Sequence, residues 1–348
     1  MFALSFAAFV LASTVAAGPL KRYNGLTVSV TGPSDVTSID ELKFTASVTN
    51  NGAESVKVLK YGTVLDNGLP TRSFTVTKDG ADVSFTGIKV SVSLEDADDT
   101  AYTVIPVGET VSVEHEVASL FDFATAGEGS FTFEPIQTFQ IAEVEAQITA
   151  LGQMDKVAAS SAPSVTVNIS GDLSKREVRQ NKRAVDICTN ASRKSFIDAS
   201  YTEAKQLATV AANYISSNGA NSLFTSYYKS SSTSTIRSVF TAVAGENSSS
   251  RTLSCTDSFG ACSSGVIAYT VIATTNIYYC SIFFNEVPST SLCSGTSVAS
   301  RNLTHALSDT DDIGYGCAFD QSLSATQARQ NADNYNCFST QVYANTQC

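Results

Sequence analysis

The sequence predicts two unlike halves in one chain: an all-β sandwich of the immunoglobulin-like kind, then an α+β domain stapled by disulfides. Three observations predict this. Residues 23–167 alternate apolar and polar in short runs separated by turn signals. All eight cysteines, from Cys188 to Cys348, fall in the second half. After residue 198 the apolar spacing becomes helical, then strand-like, then helical again.

In the first half, Leu26–Val30, Leu42–Val48, Val83–Leu94 and Val111–His115 alternate with period two, as half-buried strands do. Thr31-Gly32-Pro33, Asn51-Gly52, Asp66-Asn67-Gly68 and Asp79-Gly80 supply the turns between them. Regular short strands with one buried face point to a sandwich. His115-Glu116 starts an H-E pair but continues Val117-Ala118-Ser119, and the alternation puts it on a strand. It reads as a structural or surface histidine, not a ligand.

Residues 1–17 are apolar and end in Val15-Ala16-Ala17 before Gly18, the pattern of a secretory signal peptide. That run is short for a membrane span, and no later segment has the length and apolarity to be one. An extracellular location follows, with no membrane partner. Eight cysteines in a secreted chain read as four disulfides, and no C-x₂-C spacing favours a metal instead. The net charge of −11 with no basic cluster excludes nucleic acid as a partner. Residues 171–183 are polar and twice dibasic, at Lys175-Arg176 and Lys182-Arg183. Such a segment is exposed to proteolysis. Cuts after Arg176 and Arg183 would divide the chain into a signal peptide (1–17), a β-rich propeptide (18–183) and a second domain (184–348).

The second half opens with a helix expected from Ala199 to Ile215, which spaces Ala204, Leu207, Ala208, Ala211 and Ile215 along one face. Asn218-Gly219 stops it. Shorter helices are expected near Ser222–Tyr228 and Thr235–Val243. Val266–Ala273 and Ile277–Phe284 are β-branched and aromatic, hence strands. Ser324 and Gln327 form a capping-box pattern that opens a helix through Cys337 towards Tyr343.

Between the strands and that last helix lies Arg301–Gly316. The zinc signature H-E-x-x-H needs histidines at i and i+4 with a glutamate beside the first. Those positions read Arg301-Asn302-Leu303-Thr304-His305. The run Asp309-Thr310-Asp311-Asp312-Ile313-Gly314-Tyr315-Gly316 then resembles the G-T-D-D-x-G-Y-G run that follows H-E-x-x-H in deuterolysins, fungal neutral proteases of the aspzincin class. The resemblance extends to the prepro organisation, the size of the second domain, the cysteine placement, Tyr278–Asn285 and Asn331–Tyr335. It implies a zincin-like α+β fold and a zinc ion held by two histidines and an aspartate. Tyr315 would lie in the substrate cleft, and the propeptide would serve as folding aid and cleft cover. Carried over by position, it also implies disulfides Cys188–Cys255, Cys262–Cys280 and Cys293–Cys348, with Cys317 and Cys337 left to pair together.

By this resemblance His305 stands at the second histidine position and Asp312 at the aspartate position, as remnant metal ligands. Arg301 stands at the first histidine position, and a guanidinium has no lone pair to donate. Asn302 stands where the general base belongs, and an amide has no useful basicity. His115 is the only other histidine in the chain. The spacer from His305 to Asp312 is shorter than the family's by a few residues. Arg301 either replaces the metal as an ion-pair partner of Asp312 or points to solvent. Asn302 also begins a sequon, as do Asn168, Asn190 and Asn247; a glycan on Asn302 would block the cleft. Asp309, Asp311 and Asp312 lack calcium-loop spacing and read as a solvated turn. No G-x-S-x-G is present for serine chemistry. The expected function is therefore that of a monomeric, secreted deuterolysin homologue with little or no bound zinc, inactive as a peptidase and acting as a peptide-binding or decoy protein. The alternative is an active zinc metalloendopeptidase with an atypical site.

Overall fold

A computed structural model describes residues 21–22, 25–173, 186–246, 251–285, 292–294, 310, 313–314 and 316–348. The first half is all-β apart from single turns of helix. Leu26–Thr31, Lys43–Asn50 and Thr110–Glu116 form an antiparallel sheet with the 43–50 strand central. A second sheet runs Asp35–Ser38, Val165–Asp172, Gly129–Pro135, Phe74–Lys78, Ala81–Asp82. A third runs Lys21–Arg22, Asp155–Ala158, Thr138–Glu143, Val56–Leu59, Tyr102–Ile105. The alternation read from sequence is the burial pattern observed: Phe44, Ala46 and Val48 point inward and the residues between them outward. These side chains meet Phe74, Phe131, Phe133 and Val167 in one core, with the Phe44 and Phe133 rings 4.6 Å apart. His115 belongs to this core: its Nε2 bonds the Val64 carbonyl at 2.9 Å and its ring stands edge-on to Phe74. Burial holds its pKa below the ordinary histidine value.

The second half is mixed α+β. A helix spans Ala191–Asn218, starting eight residues before the sequence-based estimate. Asn190 explains the early start: its side chain accepts from Arg193 N–H at 3.0 Å, an N-cap. Helices Ser222–Tyr228 and Thr233–Ala244 follow. They enclose an aromatic core of Phe224, Tyr227, Tyr228, Phe240, Tyr335 and Phe338, with ring centroids 5.2–6.2 Å apart. Full burial of a ring of this size contributes about 1.5–3 kcal/mol before edge-to-face attraction is added. The disulfides are Cys188–Cys255, Cys262–Cys280, Cys293–Cys348 and Cys317–Cys337. Among the described residues no helix is long and apolar enough to cross a membrane.

Three elements differ from the sequence reading. Ile277–Phe284 is not one strand: the strand is Asn276–Tyr279, and Ser281–Asn285 is helical. The bend at Cys280 folds Phe283 back onto Tyr279, with ring centroids 4.4 Å apart. The closing helix is two helices, Ala325–Gln330 and Ala332–Gln347, because Asn331 is extended. Val83–Leu94 is not one strand either. Phe85 bridges Phe121 within the first half. Ile88 N–H then donates to the Pro70 carbonyl, and the chain turns away.

That turn sends Ile88–Val92 into the other half. It pairs antiparallel with Val266–Val271, completing a sheet ordered Leu253–Ser254, Asn276–Tyr279, Val266–Val271, Ile88–Val92. The 266–271 strand is buried along its whole length. Ile267 and Ala268 pack with Ile197 and Phe283 on one face. Val266, Tyr269 and Val271 pack with Ile88, Val90 and Tyr278 on the other. A strand covered on both faces reads as a near-continuous apolar run, and Val266–Val271 is one apart from Thr270.

Candidate functional site

Asn331, fully buried, is the hub behind Ile313 and Gly314. Its Oδ1 accepts from Ile313 N–H (3.0 Å) and Gly314 N–H (3.3 Å). Its Nδ2 donates to Asp320 Oδ1 (2.8 Å) and Asn334 Oδ1 (2.9 Å). This is why the helix breaks there: an extended backbone swings the amide out to the loop. Asn334 Nδ2 in turn donates to the Tyr227 and Asp320 carbonyls. Gly316 N–H donates to Asp333, and Asn336 caps the other Asp333 oxygen at 2.8 Å. Gly314 lies flat on Phe319, where a Cβ would come within 2.3 Å of the ring. Only glycine permits that approach.

Two lysines of the first half reach the same loop. Lys89, on the crossing strand, donates to Thr310 Oγ1 at 2.8 Å. Lys156 donates to the Ile313 carbonyl at 3.0 Å, with its ammonium 4.3 Å from the Phe319 ring centroid. Above the loop a cavity of about 620 Å³ lies between the halves, lined by Tyr61, Arg72, Lys89, Lys156, Thr310 and Ile313 among others.

Burial, reinforced by the neighbouring Asp333 carboxylate, pushes the Asp320 carboxyl up to about 9. Burial lowers the Lys156 ammonium to about 8 despite the pull of Asp320. These two groups act on stability with opposite signs. Asp320 is raised from 3.8, so its contribution is full below about pH 4 and lost as pH rises to about 9. Lys156 is lowered from 10.5, so its contribution is full above that value and lost as pH falls through about 8. Denaturant unfolding is therefore expected to show stability falling from pH 5 to 8 and flattening between 8 and 9. Asp320→Asn should abolish the slope between pH 5 and 8; an unchanged slope would mean that another group sets it.

Of the residues singled out from sequence, Arg301, Asn302, His305, Asp312, Tyr315, Asn247, Arg176 and Arg183 lie outside the described residues. Asn190 is exposed at its N-cap. Asn168 is exposed on its strand. Among the described residues one group brings three residues of metal-ligand type together, Asp320, Asp333 and Cys337. Its sulfur is already bonded to Cys317, so it cannot act as a thiolate ligand. Sequence reasoning missed Lys89, Lys156, Asp320 and the Asn331 hub. In the single helix expected from sequence, Asn331 and Asn334 fall among the apolar positions Ala328, Tyr335 and Phe338, and polar residues at apolar spacing were the available signal.

The second half is thus a mixed α+β domain stapled by four disulfides. The chain belongs to the deuterolysin metalloprotease (M35) family, whose family model matches residues 1–348. A neutral protease 2 homolog from Phaeosphaeria nodorum is 32% identical to it, with 98% of each chain covered. Penicillolysin from Penicillium citrinum is 30% identical, with 95% of each covered. Among solved structures, a zinc peptidase from Grifola frondosa aligns with 43% of this chain and 96% of its own at 22% identity, with a TM-score of 0.37.

Proposed function

We propose that this family member has lost peptidase chemistry and acts as a secreted peptide-binding or decoy protein along the former cleft. The observation that carries the reading is the sequence Arg301-Asn302-Leu303-Thr304-His305 at the H-E-x-x-H position. A catalytic zinc site takes three protein ligands and leaves one position for water. Here the donor set is His305 and Asp312, with a guanidinium at the third ligand position and an amide at the base position. These residues do not fit a catalytic zinc ion.

The rest of the reading is a signal peptide over 1–17, cleavage after Arg176 and Arg183, and an immunoglobulin-like propeptide over 18–183. Metal analysis of the purified protein, paired with a peptidase assay with and without chelator, tests the proposal. The expected result is substoichiometric zinc and no chelator-sensitive cleavage. One tightly bound zinc ion with chelator-sensitive cleavage would overturn it.

A further inference from the structure

The strand that closes the second half's sheet comes from the first half. Ile88–Val92 forms no ladder with any described strand of its own half; among the described residues its only ladder partner is Val266–Val271 of the second half. The pairing continues past both ends. Ile272 N–H donates to the Gly87 carbonyl at 2.9 Å and Ser93 N–H to the Gly265 carbonyl at 2.7 Å. Gly265 has φ +71°, and a Cβ there would meet the Ser93 carbonyl at 2.6 Å, so this sequence is fitted to the close approach. Ile88 and Val90 are buried among Leu69, Tyr269, Tyr278 and the Cys262–Cys280 disulfide. Lys89, on the opposite face, reaches Thr310. Beside the strand, Tyr61 and Asp98 bond Ser264.

Without this strand, Val266–Val271 would be an open edge, with a row of backbone donors and acceptors beside exposed apolar side chains. Such an edge takes up an extended polypeptide as an added strand. We infer that residues 87–93 are the resident occupant of this edge. They hold the first half on the second after any cut between them, and they close the edge to other peptides. The inference stands on the sheet, not on whether residues 301–312 retain chemistry, and its test uses no peptidase readout.

The test uses the full chain with a specific protease site placed between residues 176 and 182. After cutting, the two halves are expected to co-elute in gel filtration at micromolar concentration. Amide exchange in 88–92 and 266–271 is expected to stay slow before and after the cut. Excess synthetic peptide spanning Thr86–Leu94 should release the first half, and a scrambled peptide of the same composition should not. Val90→Asp should speed dissociation roughly a hundredfold, the effect of an unpaired charge in an apolar contact. Separate elution of the cut halves overturns the inference. So does co-elution with fast exchange at 88–92, which would place the attachment elsewhere, and so does equal release by the scrambled peptide.

Discussion

The double variant Arg301→His/Asn302→Glu is expected to retain zinc through gel filtration under conditions where the wild-type chain retains none. The argument is one of lone pairs and spacing. Positions 301 and 305 are i and i+4, so on a helix two imidazoles there face one way. The wild-type chain cannot supply the second imidazole from elsewhere. It has two histidines, and His115 is buried in the first half with its Nε2 on the Val64 carbonyl. A histidine pair, joined by Asp312 or by water, is expected to fill at micromolar free zinc, roughly 8 kcal/mol of binding. Elemental analysis reads the result, with Arg301→Ala as the control that removes the guanidinium without adding a ligand. If the double variant stays metal-free, the short spacer before Asp312 is what abolished the site, and the two substitutions are secondary.

Asn331→Ala is expected to cost about 3–5 kcal/mol, since each buried group stripped of its partner costs about 1–3 kcal/mol. The side chain uses both its acceptor and its donor capacity: two loop N–H groups on Oδ1, and Asp320 and Asn334 on Nδ2. Truncation strands four groups, and fully satisfied buried networks of this kind lose more than single bonds when opened. Asn336→Ala is the comparison. That side chain is half-buried; its Nδ2 donates to Asp333 and its Oδ1 accepts a long bond from Thr340 Oγ1 (3.4 Å), so a loss of about 1 kcal/mol is expected. Denaturant midpoints with unchanged slopes measure both. A loss below about 1 kcal/mol for Asn331→Ala would mean that the loop is held by the Cys317–Cys337 disulfide rather than by the amide hub.

Much of the fold is legible in local pattern. Period-two alternation in Lys43–Asn50 and helical spacing in Ala204–Ile215 each report one buried face, and that is what the structure buries. The misread boundaries share a cause. Asn190, Asn331 and the Thr86-Gly87 turn are set by hydrogen bonds to partners that periodicity does not encode, and for Asn331 and Ile88 those partners are distant in sequence. The motif was read from residue types at fixed spacing, and its residues 301, 302, 305 and 312 lie outside the described ones. The contacts that reach Thr310 and Ile313 were not legible. Lys89 and Lys156 precede Thr310 and Ile313 by more than 150 positions. Nothing in an alternating strand distinguishes a lysine that reaches solvent from one that reaches another half of the molecule.

The crossing strand also sets a timetable. Ile88–Val92 leaves the ribosome roughly 170–180 residues before Val266–Val271, which at typical synthesis rates is about 10–30 s. During that interval the first half can complete its own three sheets while two of its apolar side chains, Ile88 and Val90, lack the Tyr269 and Tyr278 side chains that cover them in the finished fold. Loop closure over such a separation is slow to be rewarded. The pairing between the two halves is thus a late one, and a nascent chain carries an unpaired apolar strand until the Cys262–Cys280 hairpin arrives to receive it.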